Sequence, residues 1–130
     1  MRLIDDTIAG FGRSLGMDDL TLPDQGGLVL EIDRVGTLAI ELIGERREDV
    51  SLSLAQRIET PDEHACRRVL ELCHYRNPAP WPVHSGLTSR GNLFFAVRLE
   101  TSEFTLANVH QVLDWLDGLH QQLMPSVRLV

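Results

Sequence analysis

Leu28-Val29-Leu30-Glu31-Ile32-Asp33-Arg34-Val35-Gly36-Thr37-Leu38-Ala39-Ile40-Glu41-Leu42-Ile43 is the stretch that decides the fold. Leu28, Leu30 and Ile32 alternate with Val29, Glu31 and Asp33. After a break, Leu38, Ile40 and Leu42 alternate with Ala39, Glu41 and Ile43. A period of two places every second side chain on one face of a strand. Asp33-Arg34-Val35-Gly36 supplies the tight turn of a hairpin between the two runs. A charged turn, Gly44 to Asp49, follows, and Val50, Leu52 and Leu54 then alternate with Ser51, Ser53 and Ala55. Three such runs with short connections form an antiparallel meander with one face in water.

Upstream, Ile4, Ile8, Phe11 and Leu15 recur at the spacing of one helical face. Asp5 and Asp6 suit the positive end of the helix dipole, and Gly16 suits a left-handed stop. Gly10 and Gly12 lower helix propensity, so this helix depends on packing. Downstream, Thr60-Pro61-Asp62-Glu63 reads as a capping box with proline in the first turn. The helix it opens runs to about His74, with Cys66, Val69, Leu70 and Cys73 as its apolar stripe. Asn77-Pro78-Ala79-Pro80-Trp81-Pro82 breaks it. A short strand over Val83 to Thr88 and a turn at Ser89 to Asn92 lead to a fifth strand, where Leu93, Phe95, Val97 and Leu99 alternate. The last helix starts near Thr105, carries Leu106, Val109, Leu113, Leu116 and Leu123, and ends at Pro125. The order is α-β-β-β-α-β-β-α, an α+β sandwich of three helices on a mostly antiparallel sheet, with residues 1–130 as one domain.

The 130 residues are 43% hydrophobic, enough for a core without a metal or disulfide staple. A formal net charge of −7 disfavours nucleic acid and anionic membrane surfaces, which Lys and Arg clusters recognise. No run of about 18 apolar residues is present, so no membrane insertion is expected. Acidic residues interrupt the opening Met1-Arg2-Leu3-Ile4-Asp5-Asp6 too early for a signal peptide. Cys66 and Cys73 stand two turns apart, about 10 Å along a helix, too far for a disulfide within the chain. Two reduced core thiols are the expectation.

Chemistry is hard to find. His64 and His74 point away from the face shared by Cys66 and Cys73, and no second ligand pair stands at finger-like spacing, so no metal is expected. Cys73 and His74 are adjacent and diverge by about 100° on a helix, which rules out a nucleophile–base dyad. His110 and His120 read as surface residues of the last helix. The carboxylate pairs Asp5-Asp6 and Asp18-Asp19 sit where capping or solvated charge is usual. Gly10-Phe11-Gly12 is a fragment of a phosphate loop without a preceding strand. The chain reads as a binding module that uses no cofactor, and not as an enzyme.

Leu3 to Met17, closing on Leu15-Gly16-Met17, is similar to the first helix of class I type III secretion chaperones, which ends in a Leu-Gly-apolar step. Leu28 to Glu41, with Asp33-x-x-Gly36 at its turn, resembles their first hairpin. Size, acidic charge and element order extend the resemblance over nearly the whole chain, while the proline-rich Asn77 to Pro82 departs from it. The resemblance implies a homodimer in the cytosol of a Gram-negative bacterium. It implies an ATP-independent chaperone that binds the unfolded N-terminal segment of a secreted effector, which wraps the dimer in extended form.

Ile8, Phe11 and Leu15 on the first helix, with Val29 and Ile43 on the sheet, are the candidate effector contacts. Val29 and Ile43 are apolar on the face that otherwise carries Glu31, Asp33 and Glu41. The family likeness places the dimer seam on the second helix and the strand after it, which selects Val69, Cys73, Trp81, Val83 and Leu87. Two other readings remain open: an adaptor of the same fold that binds a secretion regulator, and a small α+β enzyme.

Overall fold

The computed structural model describes residues 2–57, 63–74 and 80–123. The expected Thr60-Pro61 cap, the Asn77–Ala79 part of the proline-rich stretch and the stop at Pro125 lie outside them. The order is α1 (Arg2–Ser14), β1 (Gly27–Ile32), β2 (Gly36–Ile43), β3 (Asp49–Gln56), α2 (Glu63–Leu72), β4 (Val83–Leu87), β5 (Leu93–Glu100) and α3 (Leu106–Leu123), with one 3-10 turn, Thr101–Glu103, before α3. This is the order that the alternation and helical spacing predict.

All four strand pairings are antiparallel, and the sheet order is β1-β2-β3-β5-β4. The chain leaves β3, passes through α2 to the far edge as β4, and returns as β5 beside β3. β1 and β4 are therefore the sheet's two edges. The first hairpin turns through Asp33-Arg34-Val35, where the Val35 amide donates to the Ile32 carbonyl at 3.0 Å. Gly36 follows with φ 137°, and an added Cβ would lie 2.5 Å from the Ala55 carbonyl oxygen of β3, so only glycine fits without strain.

The register aligns the alternating apolar residues into rows. Leu30, Leu38, Leu54 and Phe95 form one row, and Leu28, Ile40, Leu52 and Val97 the next. These side chains meet Ile4, Ile8 and Phe11 of α1, Val69 of α2, and Val109, Val112, Leu116 and Leu119 of α3 in a single core. The helices thus cover one face of the sheet. Among the described residues, none on the other face of the sheet is buried.

Two ends show why the helices stop and start where they do. At the end of α1 the Gly16 amide donates to the Arg13 carbonyl and the Met17 amide to the Gly12 carbonyl, while Gly16 takes φ 78°. That pair of bonds closes a helix with glycine in the left-handed conformation. At the start of α3, Thr105 Oγ1 accepts from the Asn108 amide at 3.2 Å, the bond of an N-cap threonine.

The structure corrects the histidine expectation. His120 is 4% exposed, and its Nε2 donates to the Leu54 carbonyl oxygen at 2.7 Å. Its ring meets Phe95 edge-on, with centroids 4.9 Å apart. His110 is half-buried, its ring 5.4 Å from that of Phe11. Helical spacing alone suggested a solvated face. An imidazole placed between a strand carbonyl and an aromatic ring can satisfy its polar atom internally, and so it enters the core.

Candidate binding surfaces

Two surfaces collect the residues that the sequence singled out. The first involves α1 and the uncovered face of the sheet. Ile8 and Phe11 are turned fully inward, at 0% and 1% exposure. Thr7 Oγ1 also ties α1 down, donating to the Phe104 carbonyl at 3.1 Å. Both apolar residues therefore anchor the helix and are not presented to a partner in this conformation. The same 3.6-residue spacing describes a core face and a docking face, and here the core holds both. Leu15 lies at the helix end, where the chain turns through Gly16, and is exposed, as is Met17 after it.

On the sheet, Val29 is 65% exposed and Ile43 is half-buried. Glu41 stands between them on this face, and the row that crosses the sheet from Val29 carries small side chains. Val29 stands opposite Ala39, Ala39 opposite Ser53, and Ser53 opposite Ala96. In the next row Thr37 stands opposite Ala55, and Ala55 opposite Phe94. The small residues nearest the free edge of β1 are those of the Val29 row.

The second surface is formed by α2 and β4. Val69 is buried in the protein's own core, and Cys73, Trp81 and Val83 are partly buried against it. Cys73, just past the end of α2, lies against Ser85 of β4. Burial pushes the Cys73 thiol above its ordinary pKa, and the Ser85 hydrogen bond opposes that shift. Leu87 is 60% exposed on the edge strand.

The expected α2 stripe also needs correction. Leu70 is 71% exposed, and Cys66 is an exposed free thiol, not a core one. From Leu72 round to Leu70 the apolar arc spans about 160° of the helix, wider than the face the helix buries. The half bearing Val69 and Leu72 goes inward, and Cys66 and Leu70 stay outside. The width of the arc was the signal in the sequence that would have placed Leu70 on a surface.

Among the described residues no group of three or more His, Cys, Asp or Glu side chains comes together. The ion pairs Arg67–Glu63 and Arg68–Glu71 lie along α2, and Arg98–Asp49 ties β5 to β3. No helix among the described residues is long and apolar enough to cross a membrane.

Comparison with known proteins places this architecture. The family model described as type III secretory system chaperone SycN matches residues 3–124. No curated protein sequence matches. Among solved structures, a chain of the ExsC–ExsE complex superposes with a TM-score of 0.74 at 21% identity, covering 95% of this chain and 94% of its own. The Yersinia pestis type III secretion chaperone SycH, solved with a stable fragment of YscM2, gives 0.66 at 13% identity, covering 91% of this chain and 98% of that one. A chain of the heterodimeric ExoU–SpcU complex from the type III secretion system of Pseudomonas aeruginosa gives 0.65 at 17% identity, over 94% and 95%. At these identities the likeness establishes the fold.

Proposed function

Because the chain belongs to the type III secretory system chaperone SycN family, we propose that it holds the extended N-terminal segment of a secreted effector, without ATP, and keeps it soluble and competent for export. The family is one of secretion chaperones and not of enzymes. On this reading the protein works by binding alone, in the cytosol of a Gram-negative bacterium.

The observation that carries the proposal is the sheet with helices on one face only and an apolar residue, Val29, open beside its free edge. An extended segment adds main-chain hydrogen bonds at such an edge and rests its alternate side chains on the adjoining face. Val29, Ile43 and Leu15 are the contacts assigned to it. Ile8 and Phe11 contribute by fixing the position of α1. Several solved relatives in fold are complexes, among them ExoU–SpcU and SycH with its YscM2 fragment, which supports a partner-holding role.

The working unit is a homodimer. Leu70 and Leu87 are large apolar side chains left open on α2 and β4, beside Val69, Cys73, Trp81 and Val83. Covering them with a second copy removes apolar surface from water. The test is the mass in solution by light scattering, alone and with a disordered effector N-terminus. A species of about twice the 14.6 kDa subunit that gains a segment while keeping both subunits is expected. A monomer that takes up no such segment overturns the reading.

A further inference from the structure

The uncovered face of the sheet bears a charge pattern as well as an apolar centre. Val29, 65% exposed, lies between two carboxylates on that face. Glu31 is two residues further along β1, and Glu41 of β2 stands opposite Gly27, two residues before Val29. Thr37 Oγ1, opposite on β2, makes a long hydrogen bond of 3.4 Å to Glu31 Oε1. Among the described residues Arg98 is the one Lys or Arg on the strands of this face, and Asp49 engages it, with Nη2 2.6 Å and Nε 2.7 Å from Oδ2. Glu31 and Glu41 have no cationic partner among the described residues.

We propose that this face selects its client by charge. The segment it fits is extended and carries Lys or Arg on either side of an apolar residue. The apolar side chain rests against Val29 at the edge of β1, one cation meets Glu31 on the same strand, and the other reaches across Gly27, which has no side chain, to Glu41. From the Gly27 row to the Glu31 row is four residues of strand, roughly 13 Å. An extended client covers that distance in four residues of its own, so the pattern is basic, any, apolar, any, basic. Covering the face strips water from the two carboxylates, which a facing cation compensates and a facing carboxylate aggravates. The net charge of −7 adds attraction at longer range. The inference rests on the chaperone reading above.

The test uses the full chain and two synthetic peptides of the same alternating apolar sequence, one with Lys and the other with Glu at the two flanking positions. Binding is followed by fluorescence anisotropy for the unaltered protein, the Glu31→Gln/Glu41→Gln pair and the Glu31→Lys/Glu41→Lys pair. The neutral pair keeps the side-chain shape, and circular dichroism confirms that each variant is folded. The unaltered protein is expected to prefer the Lys peptide about tenfold, with the preference shrinking as salt is raised. The preference vanishes in the Gln pair and inverts in the Lys pair. Equal binding of both peptides by the unaltered protein overturns charge selection and leaves the chaperone reading standing. Binding of neither peptide, by a protein that also ignores a disordered effector N-terminus, overturns both.

Discussion

His120 on α3 donates its Nε2–H to the main-chain oxygen of Leu54 on β3 across 2.7 Å, joining the last helix to the middle of the sheet through a titratable group. Burial holds this imidazole below its ordinary pKa, while the Leu54 carbonyl and the Asp117 carboxylate pull the other way. The unfolded chain therefore takes up the proton first. This contribution to stability is complete above the ordinary histidine value and is lost as pH falls through it toward the folded one. Urea midpoints should drop between about pH 7.5 and about pH 5. In His120→Gln that component should be missing from the difference between the two proteins, and an unchanged pH dependence would refute the assignment.

Phe11 and Val29 should separate folding from binding. Phe11→Ala removes a fully buried ring from the core and should cost about 3 kcal/mol of stability by denaturant titration. Val29→Asp, on an open face, should cost no more than about 1 kcal/mol of stability by denaturant titration. It should nevertheless weaken capture of an effector segment. If Val29→Asp binds as well as the unaltered protein, the uncovered face is not the client's seat.

Leu70→Asp combined with Leu87→Asp places two charges on the open apolar rim of α2 and β4. Light scattering should then report the mass of one subunit, with far-ultraviolet circular dichroism unchanged. A dimer that survives both charges would move the seam elsewhere.

Gly36→Ala should destabilise the protein by about 2 kcal/mol. The new methyl meets the Ala55 carbonyl oxygen, and φ 137° is unfavourable for alanine. Thermal unfolding monitors the loss. A substitution without effect would mean that the hairpin relaxes away from β3 at no cost.

Thr105→Ala removes the oxygen that accepts from the Asn108 amide and should cost about 1 kcal/mol, read as a lowered denaturant midpoint.

The fold was legible because its signals are local. Alternation from Leu28 to Leu54 fixes which faces are apolar, and Gly16 and Thr105 mark helix ends by chemistry that needs no tertiary partner. The surfaces were less legible, because periodicity says that a face is apolar without saying what covers it. Ile8 and Phe11 went to the core and Val29 stayed open, although all three are apolar positions in regular elements. Leu70 was misread because an apolar arc wider than its contact leaves a rim outside. His120 was misread because its partner, Leu54, lies in a distant strand and is a backbone atom, which carries no sequence signature.

The sheet order has a kinetic consequence. β3 and β5 are neighbours in space, with Asp49 opposite Glu100, yet α2, β4 and their connections separate them along the chain. The hairpins β1-β2 and β4-β5 can each close early, because their loops are short. The central seam cannot close until its loop-closure entropy has been overcome, and α3 has no complete floor to pack on before that. On a ribosome, the outer edge of β3 waits bare until β5 has emerged. That interval is when this protein is itself most open to aggregation.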